Sequence, residues 1–365
     1  MVAAPVAVET QTLYAELLEQ LLALHAERSL GRLPGTFTEK RVKGDDYLYL
    51  QVSQPGGTTK QFYLGRKTPA LQRMVDAFTR DRKELRADLD RLRRLAAQVR
   101  AGGMNITDGP SGRVLQSLSD SGLFEAGAVL VGTHAFLALG NALGVRWGAG
   151  AARTHDLDFA SKPDLDIDVA LPDVEVEFPA VLESLKMGFL PVPPFDPAVP
   201  STSFKVRGHA LRVDMLCPKR GPGDAPVVIK RFNAAAQPLE FLEYLLEAPE
   251  RAVTIGGEPV LVNVPAPARF ALHKLVVAEM RPAALQAKAN KDRAQARAVL
   301  EVLVQDRPGD IPLAWQVAMG HGGRLKAAFE RALTGLKRRA PELRDSLAPL
   351  LVRQLPALST RSLRR

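Results

Sequence analysis

The run THDLDFA carries two carboxylates, Asp156 and Asp158, one residue apart in an otherwise apolar stretch. On a strand, alternate residues share a face, so Asp156 and Asp158 project side by side while Leu157 and Phe159 point the other way. Two carboxylates on one face repel each other unless a cation lies between them. Hard oxygen ligands of this kind suit Mg²⁺, which is held by one or two carboxylates together with substrate phosphates. Upstream, an apolar strand ends in Gly132-Thr133 within VLVGTHAF. Gly132 lets backbone come close to a phosphate, and the Thr133 hydroxyl with neighbouring N–H groups can donate to it. A third acid, Asp214, sits inside the strand-like run ALRVDML. A buried acid there is costly unless it is paired or bound to metal. These are the parts of a site that positions a nucleoside triphosphate and transfers part of it.

The order strand-borne Gly-Thr, then Asp-x-Asp, then a lone Asp on a later strand resembles the nucleotidyltransferase superfamily of polymerase-β-like fold. The resemblance implies that Asp156 and Asp158 hold the metals, and that Asp214 helps to bind metal and to deprotonate the attacking hydroxyl. Gly132 and Thr133 stand where that superfamily has Gly-Ser, with Thr in place of Ser. The stretch between Gly132 and Asp156 is longer than the usual short helix, so a segment around Gly144–Thr154 is inserted. This segment, GVRWGAGAART, carries Arg146 and Arg153 and reads either as a flap over phosphates or as a plain connector.

Across residues 10–305 the chain is similar to a bacterial branch of nucleotidyltransferase-fold proteins. The likeness rests on FTEKRVKGDDYLYLQ with KQFYLG, on SGLFEAGAVLVGTHAFLALGNALGVRW, on THDLDFA, and on ARFALHKL with KANKDRAQA. It implies that Lys274 and Lys291 reach the β- or γ-phosphate as point charges. On residue type alone, each is an ordinary helical lysine. The implied cofactor is Mg²⁺ or Mn²⁺ with a nucleoside triphosphate as donor. The implied reaction moves a nucleoside monophosphate to a hydroxyl on an RNA 3′ end, a protein or a small molecule. Related stand-alone enzymes act as toxins that modify tRNA or proteins, which points by analogy to a toxin–antitoxin or defence role.

Other chemistry-bearing residues compete with this set. PDLDIDV places Asp164, Asp166 and Asp168 on a shared face, and the assignment favours Asp156 and Asp158 because they follow the Gly-Thr unit directly. His134 and His155 flank the motifs and are read as touching substrate or satisfying backbone groups. His209 and the single cysteine, Cys217, bracket Asp214 without zinc-ligand spacing, and Trp147 is read as packing.

A net charge of +9 and a pI near 9.7 favour a polyanionic partner. One cysteine excludes an internal disulfide and fits a reducing cytoplasm. Neither a signal-peptide pattern nor a membrane-spanning apolar run is visible, so no membrane association is expected.

The positioning elements follow from periodicity. Thr12–Arg28 is an amphipathic helix, and Thr36–Val42, Tyr47–Val52 and Gln61–Leu64 form a small antiparallel sheet. Thr68–Arg100 is a long charged helix. AGGMNITDGPSG (residues 101–112) is a Gly-rich boundary, followed by a short helix at Arg113–Ser121. Val176–Met187 is a helix, Ser203–Arg207 and Leu211–Leu216 a hairpin turning at Gly208, and Val227–Ile229 a further strand. Arg251–Ile255 and Pro259–Val264 form a second hairpin, and helices continue from Ala266 to the end. The expected class is α+β. A mixed-sheet transferase core at 101–265 lies between a sheet-and-helix module at 1–100 and a helical domain at 266–365. Lys40, Arg41, Lys43, Lys60, Arg66 and Lys67, interleaved with Tyr47, Tyr49, Phe62 and Tyr63, give the first module the residue types of a nucleic-acid reader. The alternative function is therefore a nucleic-acid-binding regulator whose transferase-like domain senses a nucleotide; a plain structural sheet is the other reading of the module.

Overall fold

The structure, a computed structural model, describes residues 3–26, 35–42, 44–53, 59–152, 154–163, 175–193 and 200–352. Lys43, Arg153, the competing acids Asp164, Asp166 and Asp168, and the basic tail beyond 352 lie outside the described residues.

The chain opens with β1 (Ala3–Pro5) and α1 (Val8–Ala26). Next come β2 (Thr36–Val42), β3 (Asp45–Ser53) and β4 (Thr59–Arg66), the antiparallel sheet that alternation predicts. Leu48 is buried, and the Phe37 ring meets Phe78 edge-on at 4.8 Å, so one face of this sheet rests on α2 (Pro69–Ala101). The Thr68 hydroxyl accepts from the Leu71 N–H and Pro69 fills the first turn, which fixes the start of α2. The far half of α2 buries Leu92, Leu95 and Val99 against Tyr14, Leu17 and Leu21 of α1.

The central region begins with α3 (Gly109–Asp120), β5 (Val129–Val131), α4 (Gly132–Ala142), β6 (Val145–Trp147), α5 (Ala149–Ala152) and β7 (Asp156–Ala160). It continues through α6 (Phe178–Ser184), β8 (Phe189–Pro191), β9 (Ser203–Val206), β10 (Arg212–Pro218), β11 (Val227–Ile229) and β12 (Ala234–Leu239). It ends with α7 (Leu242–Leu245), β13 (Glu250–Thr254) and β14 (Val260–Val264). Helices α8 (Pro267–Met280), α9 (Gln286–Asp306), α10 (Asp310–Gly320), α11 (Gly323–Arg339) and α12 (Pro341–Val352) follow.

The main sheet is mixed, in the order β11-β12-β10-β7-β5. β10 runs parallel to both β7 and β12, whereas β5 is antiparallel to β7. One edge of β10 is shared: Arg212–Asp214 pairs with β9, and Leu216–Pro218 pairs with β12. β7 and β10 obey the alternation expected of them. Leu157, Phe159, Val213 and Met215 are fully buried, and a ring chain from Phe124 through Phe159 and Phe178 to Phe204 packs on their side. Each such side chain contributes about 2 kcal/mol on burial. The opposite face carries the acids. The same continuous core extends into α8–α11.

The inserted segment after α4 is neither a bare connector nor a simple loop. Its Val145–Trp147 forms β6, paired antiparallel with β1 at the start of the chain. Asn105 and Asn141 clamp β6 to the end of α4. Asn105 Nδ2 donates to Asn141 Oδ1 and to the Val145 carbonyl, and its Oδ1 accepts from the Trp147 N–H. Trp147 stacks on Phe136 at 4.4 Å, the packing role expected of it.

Candidate active site

Strand pairing brings the three acids together. Asp214 on β10 stands at the same register as Asp158 on β7, and Arg212 stands beside Asp156. Neighbouring strands lie about 4.8 Å apart, and residues i and i+2 about 6.7 Å apart on one face, so Asp156, Asp158 and Asp214 form a compact triangle. On the other side of β7, Val131 pairs with Asp158, and the chain turns at once into α4. Gly132 makes that turn with φ +67°, and a Cβ there would overlap Asp158 Oδ2. Glycine is required twice, for its backbone angle and for the carboxylate it admits. The first turn of α4, which begins beside Asp158, carries no side-chain cap, so its N–H groups and the helix dipole are left for another anion.

The acids stand in a field of opposing charges. Burial pushes the Asp158 carboxyl up to about 6, with the Asp214 charge raising it further; Lys274 and Lys288 act in the other direction. Arg212 Nε meets Asp214 Oδ1 at 2.8 Å. On α8, Lys274 Nζ reaches Asp292 Oδ1 of α9 at 2.6 Å, and Arg281 Nε reaches Asp292 Oδ2 at 2.6 Å. Burial raises the Asp292 carboxyl, but the two cations outweigh it and hold it below the usual carboxylate range. Lys291, half-buried on α9, is pushed down by burial and by Lys274, while Asp156 and Asp158 pull the other way. Lys274 and Lys291 therefore border the acid triangle, and Lys274 is held there by an ion pair.

Thr133 is buried, and its hydroxyl accepts from Gln295 Nε2 at 3.2 Å. Gln295 also donates to the Ala151 carbonyl at 2.9 Å, locking α9 against the start of α4 and the short α5. His134 is buried with both ring nitrogens unpartnered, and burial holds its pKa down to about 4. It is a neutral group behind the helix start. His155 and His209 are exposed. Burial pushes the Cys217 thiol up to about 11, an inert core group.

Sequence reasoning missed four contributors. Arg212 was legible as the i−2 partner of Asp214 on a strand. Lys288 belongs to the quoted KANKD run. Gln295 and the role of Asp292 as a clamp for Lys274 depend on helix packing and have no local signal.

Beside Asp158 and Gly132 opens a cavity of about 420 Å³ lined by Leu216, Leu239, Leu245, Phe270 and His273. His273 Nε2 has no partner there, and burial holds this imidazole neutral with a pKa of about 4. Among the described residues, no three His, Cys, Asp or Glu side chains stand gathered tightly enough to hold an ion as they are; Asp214 is turned toward Arg212. The donor chemistry nonetheless fits a hard divalent cation: oxygen ligands only, on one face, with the carboxyl of Asp158 unfavourably charged without a counter-ion.

A family model described as Nucleotidyltransferase matches residues 110–320, more than half of the 365-residue chain. The chain belongs to that family and is a nucleotidyltransferase. Among solved structures it is similar to an antigenic nucleotidyltransferase-like protein from Paracoccidioides brasiliensis. The two are 13% identical with a TM-score of 0.36, over 65% of this chain and 90% of that one. No curated protein matches the chain. Among the described residues, no helix is long and apolar enough to cross a membrane.

Proposed function

We propose that this enzyme transfers a nucleoside monophosphate from a nucleoside triphosphate to a hydroxyl acceptor, and that Asp156, Asp158 and Asp214 are its catalytic carboxylates. One observation carries the reading: Asp214 and Asp158 share a register on adjacent strands, with Asp156 on the same face and the Gly132 backbone against Asp158. In our reading residues 101–265 form the catalytic core, 1–100 an N-terminal module whose β1 and helices pack onto it, and 266–365 the helical part that supplies the lysines.

The three acids would hold Mg²⁺ or Mn²⁺, which supplies charge stabilisation of the attacking and leaving oxygens when bound. Gly132, the first N–H groups of α4 and the Thr133 hydroxyl cradle the phosphates, and Lys274 and Lys291 draw the β- and γ-phosphates to the same side. The cavity next to Asp158 takes the nucleoside, its apolar walls against the base. The acceptor oxygen bonds to the α-phosphorus, the bond from that phosphorus to the bridging oxygen breaks, and pyrophosphate leaves. The acceptor proton passes to Asp214.

RNA, a protein hydroxyl and a small molecule remain the acceptor classes, and a toxin or defence role rests on analogy alone. The test incubates the protein with Mg²⁺, total RNA and each of the four nucleoside triphosphates labelled in the α-phosphate. Label on RNA or protein, lost in Asp156→Asn, supports the assignment. Equal labelling by Asp156→Asn and Asp158→Asn would remove these acids from the mechanism.

A further inference from the structure

The N-terminal sheet has an outer face that the transfer chemistry does not use. Phe37, Leu48 and Leu50 share the side that rests on α2. By alternation, Tyr47 and Tyr49 on β3 point away from α2, and Tyr63 pairs directly with Tyr49 across β4. The three rings cluster, with Tyr63 lying 5.5 Å from Tyr49 and 6.1 Å from Tyr47 between centroids. Tyr63 is 61% exposed. Phe62 and Lys60, which composition groups with these rings, lie on the other face of the sheet by the same register.

Polar groups edge this aromatic surface. Lys40 Nζ lies over the Tyr49 ring, 4.9 Å from its centre, at the border of the cluster, and donates to Gln61 Oε1 at 2.6 Å. Gln61 in turn approaches Gln51 at 3.4 Å, so a cation and two amides run beside the tyrosines. The module also holds most of the chain's excess charge. Residues 36–101 contain fifteen Lys and Arg against eight Asp and Glu, a net +7 of the chain's +9. Among the described residues, no element outside the module packs substantially on β2, β3 or β4. From Phe78, under the sheet, to Leu92, where α2 enters the core, the helix runs fourteen residues, about 21 Å. Among the described residues, the sheet thus leans on α2, well away from where that helix enters the core.

We propose that this outer face binds single-stranded nucleic acid, with bases stacking on Tyr47, Tyr49 and Tyr63 and a backbone phosphate held by Lys40. Ring faces accept any unpaired base, whereas the bases of a duplex are already stacked on each other. The face is edged by amides and a cation and backed by a strongly basic helix, a charge balance that favours a polyanion over a protein surface of mixed charge. The inference is independent of the transfer reading.

Binding is measured by fluorescence anisotropy on the full chain carrying Asp156→Asn, so that turnover plays no part. The probes are a labelled 12-mer of oligouridine, a 12-mer of oligothymidine, and a 12-base-pair RNA duplex. A single strand is bound ahead of the duplex, and the ratio of the two single strands tells RNA from DNA. Tyr49→Ala and Tyr63→Ala each weaken binding about ten-fold and leave the salt slope unchanged. Tyr63→Phe retains affinity because the stack needs the ring and not the hydroxyl. Lys40→Gln lowers the slope of log affinity against log salt by about one. Binding of neither strand, as a face built for an acidic peptide would show, overturns the proposal. So does preference for the duplex, or affinity indifferent to the tyrosines.

Discussion

Two sheets in this molecule present polar side chains at every second position, and they handle them in opposite ways. The main sheet is backed by a fully buried apolar layer of Leu157, Phe159, Val213 and Met215, and its other face carries three carboxylates. The N-terminal sheet rests on a single helix and turns three tyrosines to solvent. In the main sheet a charge is costly, and the acids are only partly answered: Arg212 pairs with Asp214, while Lys274 and Lys288 offset part of the cost at Asp158. In the N-terminal sheet a polar ring costs little, and what is unspent there is stacking surface. Charge concentrated on a rigid sheet is what group transfer needs, and aromatic surface on a projecting sheet is what a flexible polymer needs.

The largest effect expected is on turnover. Asp156→Asn or Asp158→Asn lowers the transfer rate by about a thousand-fold and leaves the fold intact by circular dichroism. A drop of only a few-fold would reduce these acids to bystanders.

The next effect is on stability, at the clamp between α8 and α9. Removing the carboxylate of Asp292 leaves Lys274 and Arg281 without their partner, and Asp292→Asn costs about 3 kcal/mol at pH 7. Asp292 has a folded pKa below its unfolded value. Its contribution is therefore present above the unfolded pKa and is lost as the pH falls through the folded one. Urea unfolding at pH 7 and pH 3 should show the gap between variant and parent closing in acid; a gap that stays constant contradicts the ion-pair account.

Asp158 has the opposite sign. Its folded pKa, pushed up to about 6 from 3.8, means stability that is full below the unfolded pKa and is lost as pH rises through 6. Without divalent cations, Asp158→Asn should be up to about 3 kcal/mol more stable than the parent at pH 8 and nearly equal to it near pH 3.5. Adding Mg²⁺ should raise the melting temperature of the parent more than that of the variant. A variant less stable at pH 8 would mean that the triangle is not strained by its own charge.

The smallest effect concerns Arg212, a half-exposed cation whose pair contributes about 0.5 kcal/mol. Arg212→Gln frees Asp214 and should tighten Mg²⁺ binding two- to three-fold by calorimetry. Weaker binding would make Arg212 part of the site and not a competitor for it.

Much of this was legible in the sequence because it depends on local periodicity. β2 spans Thr36–Val42 as alternation predicts, α2 starts after the Thr68 cap, and the hairpins at Gly208 and Gly256-Gly257 turn where expected. Elements made by distant pairing were not legible. β1 and β6 are three residues each and become strands only by meeting each other. β12, AAAQPL, has neither alternation nor β-branched residues and is a strand because it lies beside β10. At the site, spacing alone placed Asp156 with Asp158 on one face. The partner of Asp214 across the sheet, the Gln295 bridge to Thr133 and the Asp292 clamp on Lys274 are consequences of packing that no short window of sequence contains.

The most direct test of the central claim follows two labels in parallel, one in the α-phosphate and one in the γ-phosphate of the preferred nucleoside triphosphate, with the acceptor present and Asp158→Asn as control. Nucleotidyl transfer predicts that the α-label moves to the acceptor, that the γ-label appears in pyrophosphate, and that neither occurs in the control. Movement of the γ-label to the acceptor, or transfer undiminished in the control, would contradict the account.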